Sequence, residues 1–333
     1  MNNKVSIIIP TYNGEKYIKR TIDSIYKNQN EGNIEVIVVN DGSNDGTKLI
    51  LEQIKKTYSS LIVIDKKNTG VSDSRNIGID NSSGKWIMFC DDDDEYEEGL
   101  IEKVFNNKSE EYDLIIFGRI DINGNNKRYC NDHHEIREYS DYKIFANDRL
   151  ARGKVTFSVC NKIYRSNIIK ENNIQFKKEL KMNEDLDFNL QYIKNASKLL
   201  ENFTVNYIRY CNQGSTMYKK NPEFMEKNIF ILNSIKEQYK KDYDREFFQN
   251  LNSHYLIVGL NRLFVGIDLN KKKYKYFKIE IKKIYNFFVK NNKYFDYDKN
   301  IRNIVLFNLF KCKLFFLLFF VTIIVGDFIR KIR

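Results

Sequence analysis

Lys85-Trp86-Ile87-Met88-Phe89-Cys90-Asp91-Asp92-Asp93-Asp94 is the stretch on which the reading of this chain turns. Its apolar run, opened by Gly84, reads as a buried strand. The run stops abruptly at four aspartates. Glu95, Glu97 and Glu98 follow, so seven of the eight residues from Asp91 to Glu98 are acidic. A charge run by itself is usually a solvated face. Here a buried strand feeds straight into the acids and holds them at the carboxyl edge of a sheet, where open α/β sheets bind ligands. The mutual repulsion has to be offset. Hard oxygen ligands two residues apart suit Mg²⁺ or Mn²⁺ entering with a phosphate-bearing substrate. Asp91 and Asp93 are the expected divalent-metal pair.

The segments upstream repeat the same design. Val5 to Ile9 is a buried strand ended by Pro10 and the turn residues Asn13-Gly14, and a helix with Ile18, Ile22 and Ile25 on one face follows. A second strand, Ile34 to Val39, ends in Asn40-Asp41-Gly42-Ser43; Leu49, Ile50 and Ile54 mark the next helix. A third strand, Leu61 to Ile64, leads to Asn68-Thr69-Gly70 and a helix carrying Ser74, Arg75 and Asn76. Strands alternating with helices predict βαβ units and a doubly wound, mostly parallel sheet. Every strand ends in polar or glycine-containing sequence, which gathers those ends on one edge in a nucleotide-site layout. A dinucleotide-binding domain needs a glycine-rich turn after its first strand. The turn Pro10-Thr11-Tyr12-Asn13-Gly14 has one glycine, and that reading fails.

Composition narrows the chemistry. The 333 residues carry three histidines and five scattered cysteines, none at zinc-ligand or redox spacing, so zinc and triad chemistry have little to work with. The scattered cysteines and the absence of an N-terminal signal segment lead to the expectation of a reducing, cytoplasmic site. The net charge of +11 is uneven, with nine lysines against Glu280 alone between Lys271 and Lys293. That asymmetry favours an anionic surface as partner, and no nucleic-acid signature is present.

Five segments in this order closely resemble glycosyltransferase family 2, whose members have the GT-A fold. They are Ser6 to Asn13, Val39-Asn40-Asp41-Gly42-Ser43, Asn68-Thr69-Gly70-Val71-Ser72, Arg75-Asn76-Ile77-Gly78 and Phe89 to Asp94. The resemblance is dense over about the first 100 residues and sparser to roughly residue 220. It implies an inverting transfer of a hexose from a nucleotide diphosphate, UDP first among them, onto a hydroxyl. Pro10, Thr11, Tyr12, Asn13, Asn68 and Gly70 would then belong to the nucleotide-sugar pocket, with Asp41 accepting from the uracil N–H. Arg75 would lie near the diphosphate, Asp91 would face the ribose or the metal, and Asp93 would hold the metal. Asp92 stands where the family usually has serine and adds a charge to the pocket, although strand alternation can turn it away.

Farther on, Leu114 to Phe117 is another strand, Asp121 to Arg137 a polar insert read as a solvated hairpin, and Phe157 to Arg165 a strand-like run. In Asn183-Glu184-Asp185-Leu186-Asp187, acids open an apolar periodicity and so sit at a helix start, where they commonly complement the dipole. In the family an acidic pair here supplies the general base that deprotonates the acceptor hydroxyl. Asp185 is the expected base and Glu184 the close second. The segment Tyr207 to Thr216 resembles the strand and loop that end the family's catalytic domain.

The expected organisation is a GT-A catalytic domain over 1–220, a helical extension over 221–300, and a membrane-associating helix over 301–333. The last contains Leu314 to Val325, a 12-residue apolar run flanked by Lys311, Lys313, Arg330, Lys331 and Arg333. It is shorter than the ~20 residues a spanning helix needs. A helix lying in the interface fits, as does one buried against an oligomer partner. These features predict a peripheral enzyme on the cytoplasmic face of the cell membrane, acting on a lipid-linked or cell-surface glycan of the capsular or exopolysaccharide type. Two other classes compete. A metal-dependent sugar nucleotidyltransferase would want a basic, glycine-rich triphosphate loop after the first strand, which Thr11-Tyr12-Asn13-Gly14 lacks. A non-catalytic membrane scaffold is opposed by the intact Asp91, Asp93 and Glu184-Asp185.

Overall fold

The computed structural model describes residues 5–27, 31–105, 109–130, 136–211 and 224–264. Its first half alternates as the apolar periods require. The order is β1 (Val5–Thr11), α1 (Ile18–Tyr26), β2 (Ile34–Asn40), α2 (Thr47–Ile54), β3 (Leu61–Asp65), α3 (Val71–Asp80) and β4 (Trp86–Phe89). Every residue of β1, β2 and β4 is buried, as expected of strands covered on both faces. β1 does not stop at Pro10. It runs to Thr11, with Pro10 opposite Val39 and Thr11 opposite Asn40. The α2 face also differs from the expected one: Thr47, Leu51 and Ile54 are buried, while Leu49 is 65% exposed.

Next come β5 (Glu95–Tyr96), α4 (Leu100–Val104), β6 (Leu114–Asn123), β7 (Asn126–Tyr129) and β8 (Ile136–Tyr139), then the short α5 (Tyr142–Phe145). β6 is longer than its apolar core and turns back on itself at Gly124 (φ 56°) into β7, whose residues are all exposed. From Asp121 to Tyr129 the polar insert is therefore a hairpin with an exposed outer strand, while Ile136 and Arg137 belong to β8 and residues 131–135 lie outside the described residues. β9 (Lys162–Arg165), α6 (Ser166–Glu171), α7 (Glu184–Ile193) and β10 (Leu199–Tyr210) follow. Only the end of the strand-like run 157–165 is a strand, because the peptide groups before it bond to side chains instead.

The ten strands among the described residues form one sheet in the order β3-β2-β1-β4-β9-β6-β10-β5, with β7 beside β6 and β8 beside β10. β1 to β4 are parallel, β9 runs antiparallel between β4 and β6, and β6 and β10 are parallel again. The carboxyl ends of β1, β2, β4, β6 and β10 thus share one edge. Under that edge Phe89 makes edge-on contacts with Tyr164, Phe176 and Phe188, and the last two stack at 4.1 Å. The described residues up to Tyr142 and from Phe157 to 211 make one compact unit, and Lys143–Thr156 with 224–264 a second. The second contains α8 (Phe224–Tyr239) and α9 (Arg245–Phe264), with Asn147 bonded to Asp244 at 3.2 Å. Among the described residues no helix is long and apolar enough to cross a membrane. The expected membrane-associating helix over 301–333 and the basic stretch Lys271 to Lys293 lie outside the described residues.

Candidate active site

Three loops at the carboxyl edge are tied to one another before any side chain is free to act. The Asn13 N–H donates to Ser43 Oγ at 2.9 Å, and Asn13 Oδ1 accepts from the Asn44 N–H at 2.8 Å. Asn13 is left-handed (φ 57°), a conformation asparagine tolerates. Asp41 accepts from the Thr69 and Gly70 N–H groups at 2.8 and 2.9 Å and pairs with Lys66, so the β2 end and the α3 entry are one unit. Gly42 is left-handed (φ 72°), and a Cβ there would stand 2.9 Å from the Asn68 nitrogen; the turn requires glycine. Tyr12, 48% exposed, and Asn68 lie at the surface of this edge.

The four aspartates divide by partner. Asp92 accepts from Thr11 Oγ1 of β1 at 2.5 Å, with the charges of Asp93 and Asp91 acting on it. Burial pushes its carboxyl up to about 7. Asp94 is buried and spends both oxygens on β10, accepting from the Tyr207 hydroxyl at 2.7 Å and the Tyr210 N–H at 2.8 Å. Burial and the neighbouring charges of Asp91 and Asp93 push its carboxyl up to about 8. The turn's backbone is held from α1, by Arg20 on the Asp93 carbonyl at 2.6 Å and Thr21 on the Asp92 carbonyl at 2.9 Å. Asp91 remains 44% exposed at the edge.

Arg75 joins the two ends of the site. Its guanidinium is buried, with Nη2 3.0 Å from Asp91 Oδ1, Nη1 2.8 Å from Asp185 Oδ1, and Glu184 at 3.9 Å. Its planar fork suits two carboxylates that one ammonium could not span. Phe176 lies under it, ring centroid 5.2 Å from Cζ, and Asn76 fixes Phe176 by a pair of 2.8 Å bonds to that residue's backbone N–H and carbonyl. Sequence neighbours Arg75 and Asn76 thus act together. Burial and the Asp185 charge push Glu184 up to about 6; burial raises Asp185 as well, against the pull of Arg75. A carboxylate of raised basicity, partly open to solvent, can accept a proton from a hydroxyl.

The structure thus brings Asp91, Arg75, Glu184 and Asp185 together, and separately Asp41 with Gly70. Sequence reasoning missed Lys66, Tyr207 and Phe176. Tyr207 carried a signal, since it opens the segment Tyr207 to Thr216 that resembles the end of the family's catalytic domain. Among the described residues no cluster of three or more metal-ligating side chains occurs. Asp91 and Asp93 stand two residues apart in this turn, and two carboxylates plus substrate phosphates suffice for Mg²⁺ or Mn²⁺.

Known proteins share this fold. The chain is similar to the poly(ribitol-phosphate) beta-N-acetylglucosaminyltransferase TarP of Staphylococcus aureus (strain N315), 25% identical over 260 residues that cover 77% of each chain. It is similar to EpsH of Bacillus subtilis (strain 168), 29% identical over 261 residues, 72% of this chain and 73% of that one. The crystal structure of S. aureus TarS 1–349 in complex with UDP-GlcNAc shares the fold at a TM-score of 0.62 and 24% identity, over 85% of this chain and 83% of that one. The glycosyl transferase family 2 model matches residues 6–172, half of the chain and all five quoted segments. With a GT-A sheet, an aspartate turn at its carboxyl edge and an acidic pair facing it, the chain belongs to glycosyltransferase family 2 and is a glycosyltransferase.

Proposed function

We propose that this enzyme moves a hexose from a UDP-sugar to a hydroxyl of a cell-surface glycan, with inversion at the anomeric carbon. The observation that carries the reading is the Arg75 bridge, which places the nucleotide-side Asp91 and the base candidate Asp185 within reach of one guanidinium. A donor lying along that edge presents its anomeric carbon between them. Support for UDP comes from the TarS complex, and for a surface glycan from the poly(ribitol-phosphate) transferase.

In this reading an Asp185 carboxylate oxygen takes the acceptor proton as the acceptor oxygen bonds to the anomeric carbon. The bond from that carbon to the diphosphate oxygen breaks on the opposite side. Arg75 keeps Asp185 oriented and offsets charge on the diphosphate side, and Asp41 receives the uracil N–H. Asp91 and Asp93 would hold a divalent cation, which supplies Lewis-acid neutralisation of the departing diphosphate when bound. The membrane reading continues as part of the proposal, resting on the basic and apolar C-terminal sequence: each lysine near an anionic leaflet adds about 1 kcal/mol.

The test is diphosphate release from UDP-, GDP- and dTDP-sugars with an acceptor glycan, in Mn²⁺, Mg²⁺ or EDTA. We expect metal-dependent release from one UDP-sugar, reduced by roughly 10²- to 10⁴-fold in Asp185→Asn. Pyrophosphate release from a nucleoside triphosphate, or full turnover by the Asp185→Asn enzyme, sinks the proposal.

A further inference from the structure

Lys162 is an anomaly in the sheet. It opens β9, sits opposite Ile116 of β6, and is 1% exposed. A buried ammonium is costly unless its donors are used. Here Nζ donates to the Ser158 carbonyl at 2.5 Å and to Asn161 Oδ1 at 3.0 Å. These bonds turn back onto the irregular segment 157–161, which precedes β9.

That segment is the cradle of the base. Asn189 Nδ2 donates at 2.7 Å to both the Phe157 carbonyl and the Asp185 carbonyl, and Asn189 Oδ1 accepts from the Tyr164 hydroxyl at 2.9 Å. The Val159 N–H acts on the Asp185 carboxyl, pulling its pKa down against burial. At the far end Asn161 is anchored to β6, its Nδ2 on the Phe117 carbonyl at 2.6 Å and its own carbonyl receiving the Phe117 N–H at 3.1 Å. Lys162 closes this loop of peptide from beneath. Without its bond the Ser158–Val159 peptide has one anchor fewer, and the group it presents to Asp185 loses its aim.

We infer that Lys162 is the positioning residue of the catalytic base: its ammonium fixes the Ser158–Val159 peptide against Asp185. The inference rests on the reading of Asp185 as base. Burial pushes Lys162 down to about 7, and among the groups acting the other way Asp185 is the largest. Lys162 is faced by Asp185 from α7, Cys160 from its own segment, Arg119 from β6 and Glu201 from β10. Asp185 is faced by Arg75 from α3, Asp91 from the aspartate turn and Lys162 from β9, with Glu184 beside it on α7.

The experiment compares the full-length wild type with Lys162→Met and Lys162→Gln. Lys162→Met removes the charge and the bonds in an apolar setting; Lys162→Gln keeps one donor. Circular dichroism checks the fold of each, and Lys162→Gln is carried forward alone should Lys162→Met not fold. We expect kcat to fall about 10- to 100-fold in Lys162→Met with donor KM within twofold, and less in Lys162→Gln, since general-base catalysis is worth roughly 10²–10⁴. The acid limb of the kcat profile moves to higher pH, by about one unit, because removing a cation raises a neighbouring carboxyl. A kcat within twofold of wild type in a folded variant overturns the inference, as does a loss confined to donor KM. Carboxyl ¹³C resonances, assigned with Asp185→Asn, supply a readout that needs no turnover. If the wild type turns over no donor, the functional proposal fails while this arm still decides: an Asp185 titration raised in Lys162→Met supports the inference, and an unmoved one overturns it.

Discussion

Removing one oxygen from the molecule tests how the aspartate turn is held. The Tyr207 hydroxyl is 98% hidden with its ring, donates to Asp94 Oδ2 at 2.7 Å and accepts from the Asp91 N–H at 3.1 Å. Tyr207→Phe keeps the ring and its edge-on contact with Tyr96 at 5.5 Å, so no large cavity opens. What is lost is a partner for the Asp91 N–H and one of two bonds to a buried carboxyl. Each group left short costs roughly 1–3 kcal/mol. Asp94 keeps its bond from Tyr210, which places its share at the low end, so the sum is about 2–3 kcal/mol. At roughly 2–4 °C per kcal/mol for a chain of this size, the melting temperature should fall about 4–12 °C. Urea denaturation and differential scanning calorimetry of both proteins at pH 7 measure it. Activity at saturating donor should fall as well, because Asp91 hangs on the same peptide. A loss below about 0.5 kcal/mol, within the range of neutral surface changes, refutes the claim that β10 fastens the turn.

Other expectations concern separate parts of the molecule. Asp41→Asn replaces a carboxylate that accepts two backbone N–H groups with an amide that has one acceptor oxygen, so donor KM should rise about tenfold with a smaller effect on kcat, read by steady-state kinetics. Gly78→Ala would drive a methyl into Ile8 of β1 and should cost about 1–3 kcal/mol in urea, partly recovered by Ile8→Val. In the second unit, burial holds His254 down to about 4, so the unfolded chain binds the extra proton between pH 6.5 and 4. Its contribution is therefore complete above about pH 6.5 and lost as pH falls toward 4, up to about 3 kcal/mol, and His254→Gln should flatten that slope in acid-denaturation curves.

The parallel half of the sheet was legible because burial on both faces leaves continuous apolar runs, as in Ile7-Ile8-Ile9 and Ile87-Met88-Phe89. Boundaries were less so. Pro10 was expected to end β1, yet β1 stays paired with β2 to Thr11, while its pairing with β4 stops at Ile8 and leaves that side open at Pro10. Leu49 was expected in the core of α2 and is exposed, since an eight-residue helix with apolar residues at consecutive positions leaves its face ambiguous. The acids of the site were legible by type and position, whereas their division was not. Strand alternation raised the possibility that Asp92 turns away; the structure bonds it to Thr11, itself an expected pocket residue. That Asp94 is fastened to Tyr207 and Tyr210 depends on a pairing of residues more than 110 positions apart, which no local pattern encodes. The Arg75–Asp185 contact spans 110 positions.

That long reach has a consequence for the order in which the protein is made. On a ribosome the parallel strands β1 to β4 emerge with their crossover helices and are joined by near neighbours. The turn they carry gains its last two anchors only when Tyr207 and Tyr210 have left the exit tunnel. At roughly 5–20 residues per second, the interval from Asp94 to Tyr210 lasts on the order of ten seconds. During it a run of carboxylates stands at the rim of an unfinished sheet, its repulsion unrelieved by β10. The nascent chain therefore carries the loops of β1 to β4 well before the aspartate turn is fastened, and β10, the last strand of the sheet among the described residues, is the one that locks that turn.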